Sequence, residues 1–349
     1  MALHKSIERL LLLGVSLPAP QPVPEVPPPT ELVPLIEAFR PAHDRFNHQA
    51  MRHARRYRSG FWAIYLLSAI AVLCAVLPLA LGWDNPTHSR HLYAGGFALG
   101  EVLIIGTVVT IFWLGHHREW QERWLDARTT AELIWYLPVM APLLHHICDQ
   151  TASIGEPTWY PRLFDPGQQV GAPDEVAHLC AENEPLAQSL LGCAWSDPTF
   201  VTQYAAWTQG IFAQQVSYHQ GVHAKQHALL ERVHSMNSWL FGLTAIAAMT
   251  HLWVHTLWLT LMTTFFPALG ASLHGAIAQS EAYRLGHTSG RLMTELRDAI
   301  DSIQRALEAF QVSRDPAKLR EAIMAGIELI MEEHQDWHLL VRPHRLPLA

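Results

Sequence analysis

Apolar runs and charged helical stretches alternate along this chain. Residues 61–83, FWAIYLLSAIAVLCAVLPLALGW, include no charged side chain, and a second apolar run covers residues 92–114. Each run has the roughly 20 residues that a helix needs to cross a hydrocarbon core. Trp62, Tyr65 and Trp83 stand near the ends of the first run, where amphipathic rings favour the membrane interface. The pattern predicts a transmembrane helical hairpin.

A second, shorter apolar hairpin is predicted nearer the C-terminus. Residues 239–250 are apolar, His251 and His255 interrupt the run, and residues 257–278 are apolar again. Two short crossings joined by a tight turn fit this spacing best. One crossing followed by a re-entrant piece is the alternative, because the whole segment is short.

The flanks of both hairpins predict long helices. No glycine or proline occurs between His116 and Tyr136, and most residues there favour helix. We therefore expect the second apolar helix to continue out of the bilayer as a rigid charged stalk. The second hairpin is entered through the His-bearing helix 218–241 and left through the charged helix 279–310. The two halves share one plan, which indicates an internal repeat.

The remaining segments are predicted from local signals. Residues 3–13 are amphipathic, and the proline-dense residues 18–34 favour an extended tether. Asp315 is positioned to cap a C-terminal helix. The predicted order is an N-terminal amphipathic helix and Pro-rich tether (1–44), a first hairpin and stalk (45–150), an irregular cytoplasmic connector (151–204), a second hairpin and stalk (205–311) and a C-terminal helix (312–349).

The distribution of arginine predicts the orientation. Arginines cluster before the first apolar run and after the second, whereas only Arg90 lies in the loop between them. Because cytoplasmic flanks are enriched in Lys and Arg, both termini and the middle of the chain are expected in the cytoplasm. The expected fold class is an all-α membrane protein, with two transmembrane helical hairpins continued by long cytoplasmic helices.

Composition narrows the function classes. Charged residues make up 16% of the chain, hydrophobic residues 50%, and the formal net charge is −7. Such a chain lacks a basic footprint, which disfavours nucleic acid as a main partner. The sequence shows no CxxC pair, Gly-rich phosphate loop, Rossmann fingerprint or G-x-S-x-G elbow. We expect no enzyme activity, no cofactor and no disulfide framework.

Glu101 is the most informative single residue. A carboxylate inside a membrane span costs about 2.5 to 3.5 kcal/mol, so it needs a partner, a cavity or a neighbouring subunit. Gly96 and Gly100 form a GxxxG step beside it, which permits close helix approach. Two roles are open for Glu101: a pore or interface acid that gates ion flow, and a structural acid bonded to a neighbouring Ser, His or Tyr.

Histidines recur on one helical face in the second half. His219, His223 and His227 follow at i, i+4 and i+8, a spacing from which imidazoles can ligate zinc. A zinc site needs further convergent ligands, and chance stripes are expected in a chain with 22 histidines. A solvated or packed polar face is the preferred interpretation, and no metal is predicted.

The stretch after the first hairpin resembles a known family. Trp124-x₃-Arg128-x₂-Ala131-Glu132, following a two-segment hairpin, is similar to the SLATT family of bacterial two-transmembrane effector domains, over residues 45–150. The second half resembles a related arrangement. The resemblance implies a homo-oligomer of the inner membrane that perturbs or permeabilises the lipid bilayer on activation. An upstream sensor protein or a signalling nucleotide would supply the trigger, which the stalk transmits.

Three functions therefore compete. The preferred hypothesis is a non-enzymatic membrane effector of antiviral defence. A small proton or metal-ion channel or transporter would use Glu101 and the membrane-proximal histidines. A membrane scaffold would recruit a partner through its cytoplasmic helices, with the Pro-rich tether as one candidate motif.

Overall fold

The described part of the chain is helical and has no strand. The computed structural model describes residues 3–19, 22–83, 91–148, 174–191 and 194–341. Its α-helices are α1 (Leu3–Leu11), α2 (Val33–Ala80), α3 (His91–His117), α4 (Trp120–Cys148), α5 (Asp174–Leu191), α6 (Pro198–His251), α7 (Leu257–Gln279), α8 (Ala282–Ser313) and α9 (Ala317–Val341), with short 3₁₀ turns at Thr30–Leu32 and Ala194–Ser196. The all-α prediction is confirmed.

Two very long helices carry the fold. α2 has 48 residues and α6 has 54, so they are about 72 and 81 Å long at the usual helical rise. α2 packs against α3 and α4, and α6 packs in the same way against α7 and α8. Both halves therefore consist of one long helix and two shorter partners.

Ring contacts show that the partners of α2 run antiparallel to it. At the end of α2, Trp83 lies beside Phe97 of α3, with 6.0 Å between ring centroids. Near the start of α2, His43 lies beside Trp135 of α4 at 5.0 Å. α3 therefore covers the C-terminal part of α2, and α4 covers its N-terminal part.

The expected rigid stalk is interrupted. α3 ends at His117, and Glu119 has a left-handed backbone with φ of 50° before α4 begins. α4 then packs along α2 rather than standing free, because residues 131–143 are apolar at most positions and most of them are buried. The prediction that the second apolar helix continues as one rigid stalk is wrong. Glu281, with φ of 56°, makes the same break between α7 and α8.

Buried side chains form two hydrophobic cores. The first, here called the bundle core, joins the start of α2, most of α4, α5, the start of α6, the end of α8 and α9. The second, the junction core, joins α1, the middle of α2, the start of α4, the middle of α6 and the end of α7. Beyond the junction core, the apolar hairpins leave large side chains exposed, including Leu103, Trp113, Trp239 and Phe241.

Three helical stretches of the described chain are long and apolar enough to cross a membrane. They lie within Thr30–Ala80, Leu92–His117 and Leu257–Ser313. They include the predicted first hairpin and the last crossing of the second, which supports a membrane protein. The apolar end of α6 (239–250) is not among these stretches, and α6 turns into α7 at residues 252–256. Two crossings in the second hairpin stay a prediction.

The connector is helical in its later part. Residues 149–173 lie outside the described residues, and the rest of the connector holds α5 and the start of α6 at Pro198. The sequence predicts short helices that begin at Asp174 and near Glu184, and α5 begins at Asp174 and continues through Glu184 to Leu191. The expected N-cap of the C-terminal helix α9 is present, because the Asp315 carboxylate accepts a hydrogen bond from the Ala317 backbone N–H at 3.0 Å.

The Pro-rich tether is packed on the bundle. Val26 lies against the bundle core, and a Cβ added to Gly210 of α6 would meet the Val26 side chain at 2.9 Å. Pro29 is also buried. The described part of the tether is therefore an extended strap along α6 and not a free spacer.

Gly326 tests the packing of the bundle core. A Cβ at this position of α9 would overlap the ring of Phe212, which is fully buried on α6. We expect Gly326→Ala to lower the free energy of unfolding by about 1 to 3 kcal/mol, the usual cost of overpacking. Gly242→Ala is the matched control, because nothing lies within 4 Å of its Cβ. Thermal unfolding in detergent, followed by circular dichroism, measures both. An unchanged midpoint for Gly326→Ala would contradict this packing.

Candidate functional site

A junction of five helices lies where the uncharged run of α2 begins. Trp124, one turn after the break between α3 and α4, is buried and stacks on the Tyr57 ring with 5.7 Å between centroids. The Arg58 guanidinium lies 5.1 Å from the centroid of the same indole, a distance suited to a cation–π contact. Trp124 therefore holds α4 against α2 at this level.

The second half of the chain docks on α2 at the same place. The Gln279 amide, at the end of α7, donates a hydrogen bond to the Tyr57 hydroxyl at 2.7 Å. Nearby on α7, Gly275 lies directly against the Tyr65 ring, and a Cβ there would overlap it. The missing side chain at Gly275 thus allows α7 to approach α2 closely.

The N-terminal helix α1 completes the junction. His4 Nδ1 lies 3.2 Å from Ser59 Oγ on α2, and the Lys225 ammonium of α6 donates to the Glu8 carboxylate at 2.5 Å. α1 therefore joins the long helices of both halves. Burial lowers the pKa of His4 to about 4, so the imidazole is neutral near pH 7.

A small cavity of about 60 Å³ lies within the junction. The cations Arg58 and Lys225 and the carboxylates Glu8 and Glu281 line it among apolar side chains. Ligand pockets usually measure about 300 to 1,000 Å³, so this space is too small for an ordinary substrate. The arrangement is suited to mechanical and electrostatic connection between helices.

The predicted stalk motif lies on α4 at and beside the junction. Trp124 is at its centre, whereas Arg128 and Glu132 form an ion pair one helical turn apart. The Glu132 side chain is only 13% exposed. The structure therefore places these three residues where α4 packs on the rest of the fold, and signal transmission through them stays a prediction.

Glu101 lies in the middle third of α3, near the centre of the apolar run 92–114. It follows Phe97 by one turn, and Phe97 contacts Trp83 at the end of α2. Glu101 is half-buried on the same stripe of α3 as the buried Val108. No hydrogen bond or ion pair joins its carboxylate to another described residue. Among the described residues, Glu101 therefore has no bonded Ser, His or Tyr of the kind that the structural role requires.

The glycine step beside Glu101 has an open face. A Cβ added at Gly96 or at Gly100 would meet no atom within 4 Å. The step therefore does not bring α3 close to another helix within the described part of this chain. Its face is free for lipid or for a second copy.

The three histidines of α6 have separate partners. His219 is buried, with Nδ1 3.2 Å from Ser289 Oγ, and His223 donates its Nδ1–H to the Gly286 carbonyl at 2.7 Å. His227 lies near a carboxylate one turn along α6. Across the described ranges, no group of three or more His, Cys, Asp or Glu side chains is arranged to hold a metal ion. His219 and His223 therefore help to pack α6 on α8, whereas the carboxylate near His227 lies on α6 itself.

A larger groove of about 790 Å³ lies between α6, α7 and α8. Five histidines from these three helices line it together with apolar side chains: His223, His227, His234, His274 and His287. The sequence does not predict the groove, because its histidines come from separate helices. No signal in the sequence places them together.

The residues that join the two halves were also missed. Glu8 and Lys225 are 217 positions apart, and Tyr57 and Gln279 are 222 apart. Each is an ordinary polar residue in its local context. Only the amphipathic pattern of residues 3–13 indicated that α1 has a surface on which to pack.

No protein-family model matches this chain, and neither does any curated protein or solved structure. The resemblance to SLATT domains therefore stays a prediction. The functional argument rests on the geometry of the junction and of the apolar helices.

Docking of α1 is expected to depend on pH. Burial lowers the pKa of His4 from 6.5 to about 4, so protonation favours the undocked helix. The docked state therefore loses stability as the pH falls from 6.5 towards 4, and the effect is absent above pH 6.5. Hydrogen exchange of residues 3–11, corrected for its intrinsic pH dependence, should accelerate over this window.

His4→Asn is the control for this measurement. Asn keeps a neutral polar group facing Ser59 and cannot be protonated, so the accelerated exchange should largely disappear. A variant with the same pH dependence as the parent would assign the effect to another group and contradict the role of His4.

Proposed function

We propose that this protein is a non-enzymatic membrane effector that perturbs the lipid bilayer when its helical bundle receives a signal. The observation that carries the proposal is the continuity of α2 and α6. Each is one helix from the bundle core, through the junction core, into an apolar hairpin. A helix that belongs to both parts transfers a rotation or a shift from one to the other.

The proposed location is a bacterial inner membrane, with both termini and the bundle core in the cytoplasm. Arg52 and Arg55 are exposed on the bundle side of the first apolar run, and Arg118 and Arg123 are exposed where α3 gives way to α4. Arginines on this side of the apolar helices support its assignment as the cytoplasmic side.

The trigger and the biological setting follow from the resemblance to SLATT domains. An upstream sensor protein or a signalling nucleotide would act on the bundle core in antiviral defence. The channel alternative has weaker support, because His219 and His223 of α6 are engaged by neighbours on α8. The scaffold alternative is also weaker, since the described part of the tether is packed on α6.

Helix continuity provides the first test. His48 and Gln49 are exposed on α2 between Phe46 of the bundle core and Ala50 of the junction core. Replacing both with Gly should soften α2 at this point, by about 1 kcal/mol per residue relative to Ala. We expect the double Gly variant to depolarise the membrane of a bacterial host several-fold less than the parent. The double Ala variant loses the same side chains, keeps the helix and should act like the parent.

A voltage-sensitive dye measures depolarisation at matched protein levels in the membrane. A parent protein that leaves the membrane potential unchanged when activated or overproduced would refute the effector proposal. Equal activity of the double Gly and double Ala variants would refute coupling through α2.

Assembly through α3 provides a second test, since the proposed effector is a homo-oligomer. Because Gly96 and Gly100 face open space, replacing both with Leu should leave the protomer folded but weaken association by preventing close backbone approach. Replacing Gly95 and Gly106 with Leu adds the same side chains at two other open positions and should preserve the oligomer. Crosslinking in native membranes measures both pairs. Unchanged crosslinked species for the Gly96 and Gly100 double variant would exclude this face of α3 as the contact between subunits.

A further inference from the structure

The helix α1 packs on the protein through only one of its sides. His4, Ile7 and Leu11 share this side, at about 100° per residue around the helix. His4 and Leu11 are buried and Ile7 is half-buried in the junction core. The two remaining sides of α1 carry residues that are exposed in the described structure.

The second side of α1 is apolar and exposed. Leu3 and Leu10 project from it, and Leu13 follows in the turn after α1; the three are 45%, 66% and 63% exposed. Exposing several leucines together on a short helix is unfavourable in water, because each buried leucine is worth about 1.5 to 3 kcal/mol. This leucine side needs an apolar environment.

The third side of α1 is cationic. Lys5 and Arg9 lie there, and both are exposed. An apolar side and a cationic side on one helix are typical of segments that lie in a membrane interface, where the cations meet anionic headgroups.

The contacts of α1 place it at the level where the membrane-spanning segments begin. His4 meets Ser59, which precedes Phe61 and the uncharged run of α2. At the same level, Gln279 ends the apolar helix α7 and bonds to Tyr57. α1 therefore lies at the level where the apolar segments of α2 and α7 meet the rest of the bundle.

We propose that α1 lies in the plane of the membrane surface, with Leu3, Leu10 and Leu13 in the lipid and Lys5 and Arg9 against the phosphates of anionic headgroups. The three sides of α1 then meet protein, lipid and headgroups respectively. The proposal requires the membrane-spanning helices but not the effector activity. A second copy of the chain is the other occupant that the leucine side could accept, and the experiment separates the two.

A fluorescent label measures the surroundings of each side. The four native cysteines are replaced with Ala, single cysteines are introduced as Leu10→Cys or Lys5→Cys, and each is labelled with an environment-sensitive nitrobenzoxadiazole. The full chain is reconstituted into vesicles of phosphatidylcholine and phosphatidylglycerol. The label at position 10 should emit at shorter wavelength and lose most of its emission to lipids that carry a nitroxide near the headgroup. The label at position 5 should instead be quenched by aqueous iodide.

Leu13→Cys is a second probe of the leucine side and should repeat the result at position 10. Iodide quenching at position 10 as strong as that at position 5 would place the leucines in water and overturn the proposal. Protection from both quenchers would mean that a second copy covers the leucine side, which also overturns it. Because the labels report regardless of depolarisation, the proposal can fail or succeed independently of the effector activity.

Discussion

The unbroken main chain of α2 is the constraint on which the rest of the structure depends. α2 stays one helix from Val33 to Ala80, although Pro41 and Pro78 lie within it. It contributes side chains to both hydrophobic cores, and α3, α4 and α7 all pack on it. Because a helix is held by hydrogen bonds along its whole length, the bundle and the apolar hairpins cannot shift independently without bending it. The contacts of Tyr57 with Trp124 and Gln279 then fix the other helices to this one rod.

The membrane helices and the all-α class were predictable because few other structures can accommodate long uncharged apolar runs. An uncharged run such as residues 61–83 has no comparable place in a soluble helix bundle. The break at Glu119 was not predictable, because left-handed residues at helix ends are usually Gly or Asn. Glutamate carries no such signal, and packing of α4 along α2 imposes the conformation. The left-handed conformation of Glu281 was unpredictable for the same reason. Because Glu119 gives no sign of a break, the sequence favours a continuous stalk.

The candidate site was predictable in part. Trp124 was selected from a sequence motif, and it lies at the centre of the junction. Helical periodicity correctly placed His219 and His223 on one side of α6, but their partners on α8 depend on tertiary packing that no local pattern encodes. The open face at Gly96 shows another limit of prediction from sequence. A GxxxG step indicates that two helices approach closely, but it does not identify the partner helix.

The two contacts of α1 have a consequence for the order in which the chain acquires its structure during synthesis. α1 is translated before α2, yet one of its partners, Lys225, follows Glu8 by 217 positions. Most of the protein must therefore be made before both sides of the α1 binding surface exist. The first hairpin has to be inserted and held by the contacts of α2, α3 and α4 alone. The first hairpin supplies the α2 part of the surface on which α1 packs, and the arrival of α6 completes it.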